Sequence, residues 1–457
     1  MARPAGPPAT GHNGRVTPAL RLSGAAWRAV CRWPAGARWG LAVALVLLAS
    51  VPVVLRYLVY WPIDQWQVDV EVYREAGVSI LTGRPIYSAM TEAPQLLPFT
   101  YPPFAAVLAI PLAFVPFGVV GWLWTAAQVA ATTAIVWYAG WRLIHRTGTG
   151  LPIALALLTA PMLWLHPVSD GIRFGQVNAF MVLACLMDLR RPRPGVLRRV
   201  PPGVLVGLAM SIKLTPGVFV VHYLVNRRWR EAATAVGTAV VVTLGSWVLL
   251  PEASFAFWGG ALQDPNRLGP NMGTSNQSLR GFLLRVGPDG TAGTVLWLAC
   301  VAVVGVIGFH LARRAYLAGD SISEVAVVGL MACLLSPVAW IHHLHWMVVV
   351  VFAVLGSDPL RDRERLLAAA VLTGWFLCRM PWWGISWLNE PTWPELPGRM
   401  LQNADTFGSL LALALVGWSL SRTIPLRAHG HPHHHGHPHH HGHPHEHPEG
   451  RAAVSRR

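Results

Sequence analysis

Two carboxylates stand two residues apart in "VDVEVYREAG": Asp69 and Glu71, just after the apolar run "WGLAVALVLLASVPVVLRYLVYW". A carboxylate at a membrane surface can take the proton of a hydroxyl as that hydroxyl attacks an electrophile. Tyr73 and Arg74 lie beside them, and a solvated loop with an Arg74 ion pair is the plainer reading. The residues themselves favour neither Asp69 nor Glu71 as the base.

The chain has one lysine, Lys213, in "SIKLTPG"; the rest of its 36 Lys and Arg residues are arginine. Lys213 lies in an apolar run that Pro216 interrupts, which frees backbone groups beside the ammonium. A cation there needs an anion, and either a lipid-linked phosphate or an intramembrane carboxylate would serve. The segment "SPVAWIHHLHW" adds His342, His343 and His345 between two tryptophans. No acidic residue stands at metal-ligand spacing, so proton transfer or hydrogen bonding to phosphate is the chemistry these imidazoles suggest. Three further stretches, "LPFTYPPF", "DGIRFGQVNAF" and "TSNQSLRG", lie where apolar runs end. Their Tyr101, Arg173, Gln176, Asn178, Asn276, Gln277 and Arg280 could hold sugar hydroxyls or phosphate. Each signal is weak alone; converging on one face with Asp69, they make a single polar pocket.

The elements that must position these groups are membrane helices. Hydrophobic residues make up 53% of the 457 and charged residues 12%, about half the ~25% usual for soluble domains. The apolar runs are long enough to cross a bilayer, and backbone groups in lipid must pair within helices. The expected fold is therefore an all-α polytopic membrane protein with roughly 10 to 12 crossings. The net charge of +15 does not signal nucleic acid: its arginines cluster in short loops beside apolar runs, as the positive-inside rule expects. Residues 1–36 read as a disordered, basic cytoplasmic segment, 37–422 as the membrane domain, and 423–457 as a disordered cytoplasmic tail. Two places resist simple counting. "WRLIHR" (141–146) is basic yet falls outside, a conflict removed if the Pro-rich run 101–116 fails to cross. The run 203–225 lies between two basic loops, so it should bend at "KLTPG". The five cysteines form no CxxC pair and read as small core residues. Twelve of the 20 histidines fall in 429–447; the composition suits loose Zn or Ni binding, but Gly and Pro prevent a fixed site.

No phosphate-binding loop or dinucleotide fingerprint is present, and "DVE" is the nearest approach to a metal-nucleotide DxD. A site facing away from cytosolic nucleotides would use a lipid-linked donor.

Taken in order, "VDVEVYREAG", "LPFTYPPFAAV", "FGQVNAF", "SIKLTPG", "TSNQSLRG" and "LLSPVAWIHHLHW" resemble glycosyltransferase family 87, membrane mannosyltransferases of actinobacteria with the GT-C fold. The resemblance spans about residues 61–346 and is specific as a set. It implies Asp69 as the catalytic carboxylate, with His342 and His343 near the reaction centre. It also implies a polyprenyl-monophosphate-mannose donor and a mannosylated lipid or lipoglycan acceptor. The product would be an α-1,2 linkage made with inversion, at the extracytoplasmic face of the bacterial plasma membrane. Lys213, Arg280 and Arg173 would then hold the donor phosphate. Glu71, Tyr73, Tyr101, Gln176, Asn178, Asn276 and Gln277 would contact sugar or acceptor, and no metal or other cofactor would be needed. The His-rich tail and the Arg-rich N-terminus depart from the family pattern. A polyprenyl-linked sugar flippase is the competing class; it would place its charges at mid-membrane and show internal repeats, which this sequence lacks. A GT-C enzyme moving another lipid-linked sugar, such as arabinofuranose, is the nearer alternative.

Overall fold

The computed structural model describes residues 18–60, 66–190, 195–358 and 362–423. The His-rich tail, with its expected loose metal binding, lies outside the described residues. The described chain is helical throughout its regular elements, with two isolated β-bridges, Met90 to Pro98 and Asn276 to Trp340.

Among the described residues, five helices are long and apolar enough to cross a membrane: Ala35–Val59, Phe117–Ala139, Trp229–Leu249, Gly290–Leu317 and Ala404–Arg422. The number rises to seven if each of two bent pairs is one span: Gly148–Trp164 with His166–Phe174, bent by 77°, and Arg363–Leu377 with Met380–Leu388, bent by 47°. Several further apolar runs, counted among the expected 10 to 12 crossings, fold as helices of 10–17 residues. Pro103–Ala113 has 11 residues and rises only about 16 Å, half of a ~30 Å hydrocarbon core. The Pro-rich 101–116 run therefore does not cross by itself. The 203–225 run breaks where expected: helix Val204–Ile212 ends, Lys213 is extended (φ −149°, ψ 128°), and a 3-10 turn at Thr215–Gly217 leads into Val218–Val225.

Burial sorts the helices. Ser321–Leu334 and Met347–Leu355 are buried along almost their whole length and form the centre. Trp229–Leu249 and Gly290–Leu317 keep most of their apolar surface outward, as lipid-facing helices do. At the start of the central helix, Glu324 accepts from Arg228 Nη1 at 2.8 Å and meets His222 Nε2 at 2.7 Å. The histidine segment follows the other end of that helix, about 20 Å away along its axis.

The stretch 1–36, expected to lack order, contains a helix at Pro18–Cys31. Trp27 of that helix packs on Gly150, where any β-carbon would collide with the indole.

Candidate active site

Asp69 lies in the first turn of helix Val68–Leu81. The preceding residue but one, Gln67, fixes where that turn sits. Its φ is 60°, its side chain is fully buried, and its N–H donates to the Arg173 carbonyl at 2.8 Å. Its amide donates to Thr125 Oγ1 at 3.0 Å and to the Ile172 carbonyl at 2.8 Å. The helix is thereby pinned to the end of His166–Phe174. Gly175 closes that helix at φ +74°, and a β-carbon there would strike the Val70 and Gln67 side chains. Glycine is needed on both counts. Gly77 serves the other end of Val68–Leu81, where its missing β-carbon lets the Ala109 backbone approach.

Sharp turning at Gly175 brings Gln176 over Asp69. Gln176 Nε2 donates to Asp69 Oδ2 at 2.5 Å. Tyr101 Oη donates to Gln176 Oε1 at 3.3 Å, and the Tyr73 and Tyr101 hydroxyls are 3.1 Å apart. Burial pushes the Asp69 carboxyl up from its usual range, while the neighbouring His342, the Gln176 hydrogen bond and Lys213 act in the opposite direction. Burial also drives the Tyr73 and Tyr101 hydroxyls well up, so both stay protonated hydrogen-bond donors.

A second strand of the network comes from the break at Lys213. Lys213 Nζ donates to Asn178 Oδ1 at 3.2 Å, lies 2.9 Å from His343 Nε2 and sits 5.4 Å from the centre of the Tyr101 ring. Asn178 Nδ2 donates to the His342 carbonyl at 2.9 Å, tying the lysine to the histidine turn. Behind this layer, His342 Nδ1 faces Asp170 Oδ2 at 3.9 Å and Arg379 Nη2 faces Asp170 Oδ1 at 3.6 Å. Arg379 Nη1 donates to Tyr57 Oη at 2.6 Å, which donates to Ser169 Oγ at 3.3 Å. The Nε2 of His342 is buried without a hydrogen-bond partner.

Of the residues expected from sequence, the structure joins Asp69, Tyr73, Tyr101, Gln176, Asn178, Lys213, His342 and His343. It places the others elsewhere. Glu71 is half-buried on a different face of the helix from Asp69, and its Oε1 accepts from the Glu92 N–H at 3.3 Å. Two residues along a helix turn the side chain by about 200°. Arg173 is buried under this layer, stacked against the Tyr57 and Phe174 rings. Arg280 stacks over Trp297, on another helix pair.

Asn276 and Gln277 do not present free amides to a sugar. Asn276 Oδ1 accepts from the Ser278 and Ala339 N–H groups, and its Nδ2 donates to the Asn271 carbonyl. Gln277 donates to the Thr274 and Gln402 carbonyls and accepts from the Thr406 N–H. Both are wholly buried. They staple "TSNQS" to "SPVAW" and so hold the histidine turn, through backbone bonds from Gln277 to Ala339 and from Ile341 to Ser275.

Asp170, Arg379 and Tyr57 were not singled out from sequence. Asp170 stands in the quoted "DGIRFGQVNAF", and Arg379 is a lone charge between two apolar helices; such a charge calls for an anion. His345 is structural, with Nε2 3.3 Å from Thr132 Oγ1. Among the described residues, no three His, Cys, Asp or Glu side chains gather as metal ligands.

The family model for glycosyltransferase family 87 matches residues 99–337. A curated relative from Mycolicibacterium smegmatis is a polyprenol-phosphate-mannose-dependent α-(1-2)-phosphatidylinositol pentamannoside mannosyltransferase. It is 33% identical over 400 residues, covering 84% of this chain and 92% of the relative. The polyprenol-phosphate-mannose-dependent α-(1-2)-phosphatidylinositol mannoside mannosyltransferase of Mycobacterium tuberculosis is 31% identical over 415 residues, 87% of this chain and 92% of the relative. An α-(1->3)-arabinofuranosyltransferase of the same organism is 26% identical over 155 residues, 34% of this chain and 35% of the relative. Among solved structures, ArnT from Cupriavidus metallidurans bound to undecaprenyl phosphate aligns with a TM-score of 0.35 and 17% identity, covering 83% of this chain and 77% of ArnT. With the extent of the family match and the identity to these relatives, the chain belongs to glycosyltransferase family 87.

Proposed function

We propose that this protein is a GT-C mannosyltransferase of the bacterial plasma membrane, working at the extracytoplasmic face. It moves mannose from a polyprenyl-monophosphate-mannose to a mannosylated phosphatidylinositol or lipoglycan, forming an α-1,2 linkage with inversion. The observation that carries this reading is the single network joining Asp69 to Gln176, Tyr101 and Lys213. In this reading Asp69 is the base and Lys213 the group that meets the phosphate, linked through Gln176 and the Tyr101 side chain.

In that mechanism Asp69 takes the proton of the acceptor 2-hydroxyl as its oxygen attacks the anomeric carbon. Gln176 holds the carboxylate by one oxygen, so the other is free to meet the hydroxyl. Lys213 receives the phosphate as the bond to the sugar breaks and a second negative charge develops on it. A preorganised cation is most effective where charge appears during the reaction. His342, oriented by Asp170, favours the ionised form of Asp69. Attack on one face and departure from the other inverts the centre. Because the phosphate leaves already ionised, no metal is required. An apolar groove of about 790 Å³ runs between helices Ala35–Tyr60, Phe117–Ala139 and Leu151–Trp164. Its wall includes Thr125, the partner of Gln67, so a lipid chain lying there would end near Asp69.

The test is transfer from synthetic polyprenyl-phosphate-mannose to a mannosylated phosphatidylinositol, with Asp69→Asn and Glu71→Gln beside the unaltered protein. The expected result is loss in Asp69→Asn by about 10²–10⁴-fold, the range for removing a positioned base, and near-normal transfer in Glu71→Gln. Undiminished transfer by Asp69→Asn would overturn the assignment. The partial likeness to an arabinofuranosyltransferase makes polyprenyl-phosphate-arabinofuranose the control donor; turnover of that donor alone would replace mannose in this reading.

A further inference from the structure

Both ring nitrogens of His343 are engaged, and together they leave no place for a charged lysine. Nδ1 accepts the Trp340 backbone N–H at 3.2 Å, capping the turn Ile341–Trp346. A neutral imidazole that accepts at Nδ1 carries its proton on Nε2. Nε2 lies 2.9 Å from Lys213 Nζ. An ammonium has three donors and no acceptor, so it cannot receive that proton. A neutral amine can: its lone pair accepts from Nε2–H while one of its own hydrogens goes to Asn178 Oδ1. The Asn178 amide cannot turn to accommodate another arrangement, since its Nδ2 is committed to the His342 carbonyl.

Other groups face the pair. Asp69 lies close enough for the charges to be felt, and the Tyr101 ring lies under Nζ; both favour an ammonium. The His342 ring stands edge-on to His343 at 4.9 Å, and Cys333 Sγ donates to the His343 carbonyl at 3.3 Å. The pair is thus poised, with hydrogen bonding on one side and Asp69 on the other. An arriving anion decides the balance, and an empty buried site avoids holding an unpaired cation.

We propose that Lys213 and His343 act as one proton-accepting pair, uncharged in the empty enzyme, which takes up a single proton when the donor phosphodiester binds. This rests on the assignment of Lys213 to the donor phosphate. The proton comes from solvent and ends on Nζ, which turns its hydrogens from His343 to the phosphate. No covalent bond changes at this stage. In the transfer itself the bond from the anomeric carbon to the phosphate oxygen breaks, its electron pair stays on phosphate, and the acceptor proton passes to Asp69. The phosphate goes from one negative charge to two, and the proton already gathered at Lys213 stands against the second.

The proposal is tested by calorimetric titration of the full-length protein in detergent with short-chain polyprenyl-phosphate-mannose, without acceptor. Buffers of different ionisation enthalpy are compared at one neutral pH. A phosphodiester does not titrate there, so any proton taken up belongs to the protein. The expected uptake is close to one proton per donor. Lys213→Arg, always charged, should bind donor with uptake near zero. So should His343→Asn, whose amide oxygen can accept the Trp340 N–H without offering a hydrogen to Lys213. Donor binding by the unaltered protein with no uptake would overturn the proposal, as would full uptake persisting in both variants. Lys213→Met binding donor as tightly as the unaltered protein would instead overturn the phosphate assignment beneath it.

Discussion

Gln176 reaches across 107 residues of chain to donate to Asp69 Oδ2 at 2.5 Å, and it does so from the position just after a left-handed glycine. The carboxylate proposed as base is therefore aimed by a different element from the one that carries it. Its ionisation depends on that reach, because the carboxyl is buried and burial works against the charge.

Gln176→Leu should accordingly move the pH dependence of transfer. A carboxylate base works only when ionised, so activity falls as pH drops through its pKa. Burial has already raised that pKa, and removing the Gln176 donor raises it further. The acid limb of kcat/KM therefore shifts to higher pH. A hydrogen bond to a charged group is worth about 1.5–3 kcal/mol, or about tenfold and more in rate on the acid limb. An unmoved limb with a uniformly lower rate would mean that Gln176 only positions the sugar.

Asn276→Ala and Gln277→Ala should lower stability rather than donor or acceptor affinity. Each strands buried backbone groups, at about 1–3 kcal/mol per unsatisfied group. The expected observation is a lower melting temperature in detergent with little change in KM for the folded fraction. A raised acceptor KM with unchanged melting would return these amides to the sugar.

The polar cluster proposed as the reaction centre was legible in the sequence because polar groups in an apolar chain are conspicuous. Lys213 stood out as the lone lysine, and the carboxylates as charges beside a span. The break at "KLTPG" was readable from Pro216. What could not be read was direction. Asn276 and Asn178 look alike in sequence, yet one staples a loop and the other holds Lys213. Asp170 and Arg379 were hidden by their separation of 209 positions, since nothing local says that a lone arginine after one span meets a carboxylate in another. Helix length was not readable either, because hydropathy records apolar residues and not the breaks that shorten their helices.

Gly175→Ala should cost activity out of proportion to its size. Its φ of +74° is strained for alanine, and the new methyl would push Val70 and Gln67, the residues on either side of Val68 and Asp69. Misplacement by about 1 Å can cost roughly 10²-fold in rate. Alanine at Gly83, also at positive φ (67°) but with open space around it, is the control for backbone strain alone. Equal losses in the two variants would mean that the close approach of Gly175 has no bearing on Asp69.

Chelation should leave transfer unchanged. In the proposed mechanism the leaving phosphate meets Lys213, and the acceptor proton goes to Asp69, so both charges that develop have partners from the chain. The measurement is the initial rate with EDTA present, against the same preparation resupplied with Mg²⁺ or Mn²⁺. Rates within about twofold are expected. A loss on chelation that either ion reverses would place a cation beside the phosphate. Repeating the assay with the protein cut back to residue 423 then separates two sources for that cation. Persistence of the metal effect would assign it to the chain up to residue 423, and its disappearance to the His-rich tail.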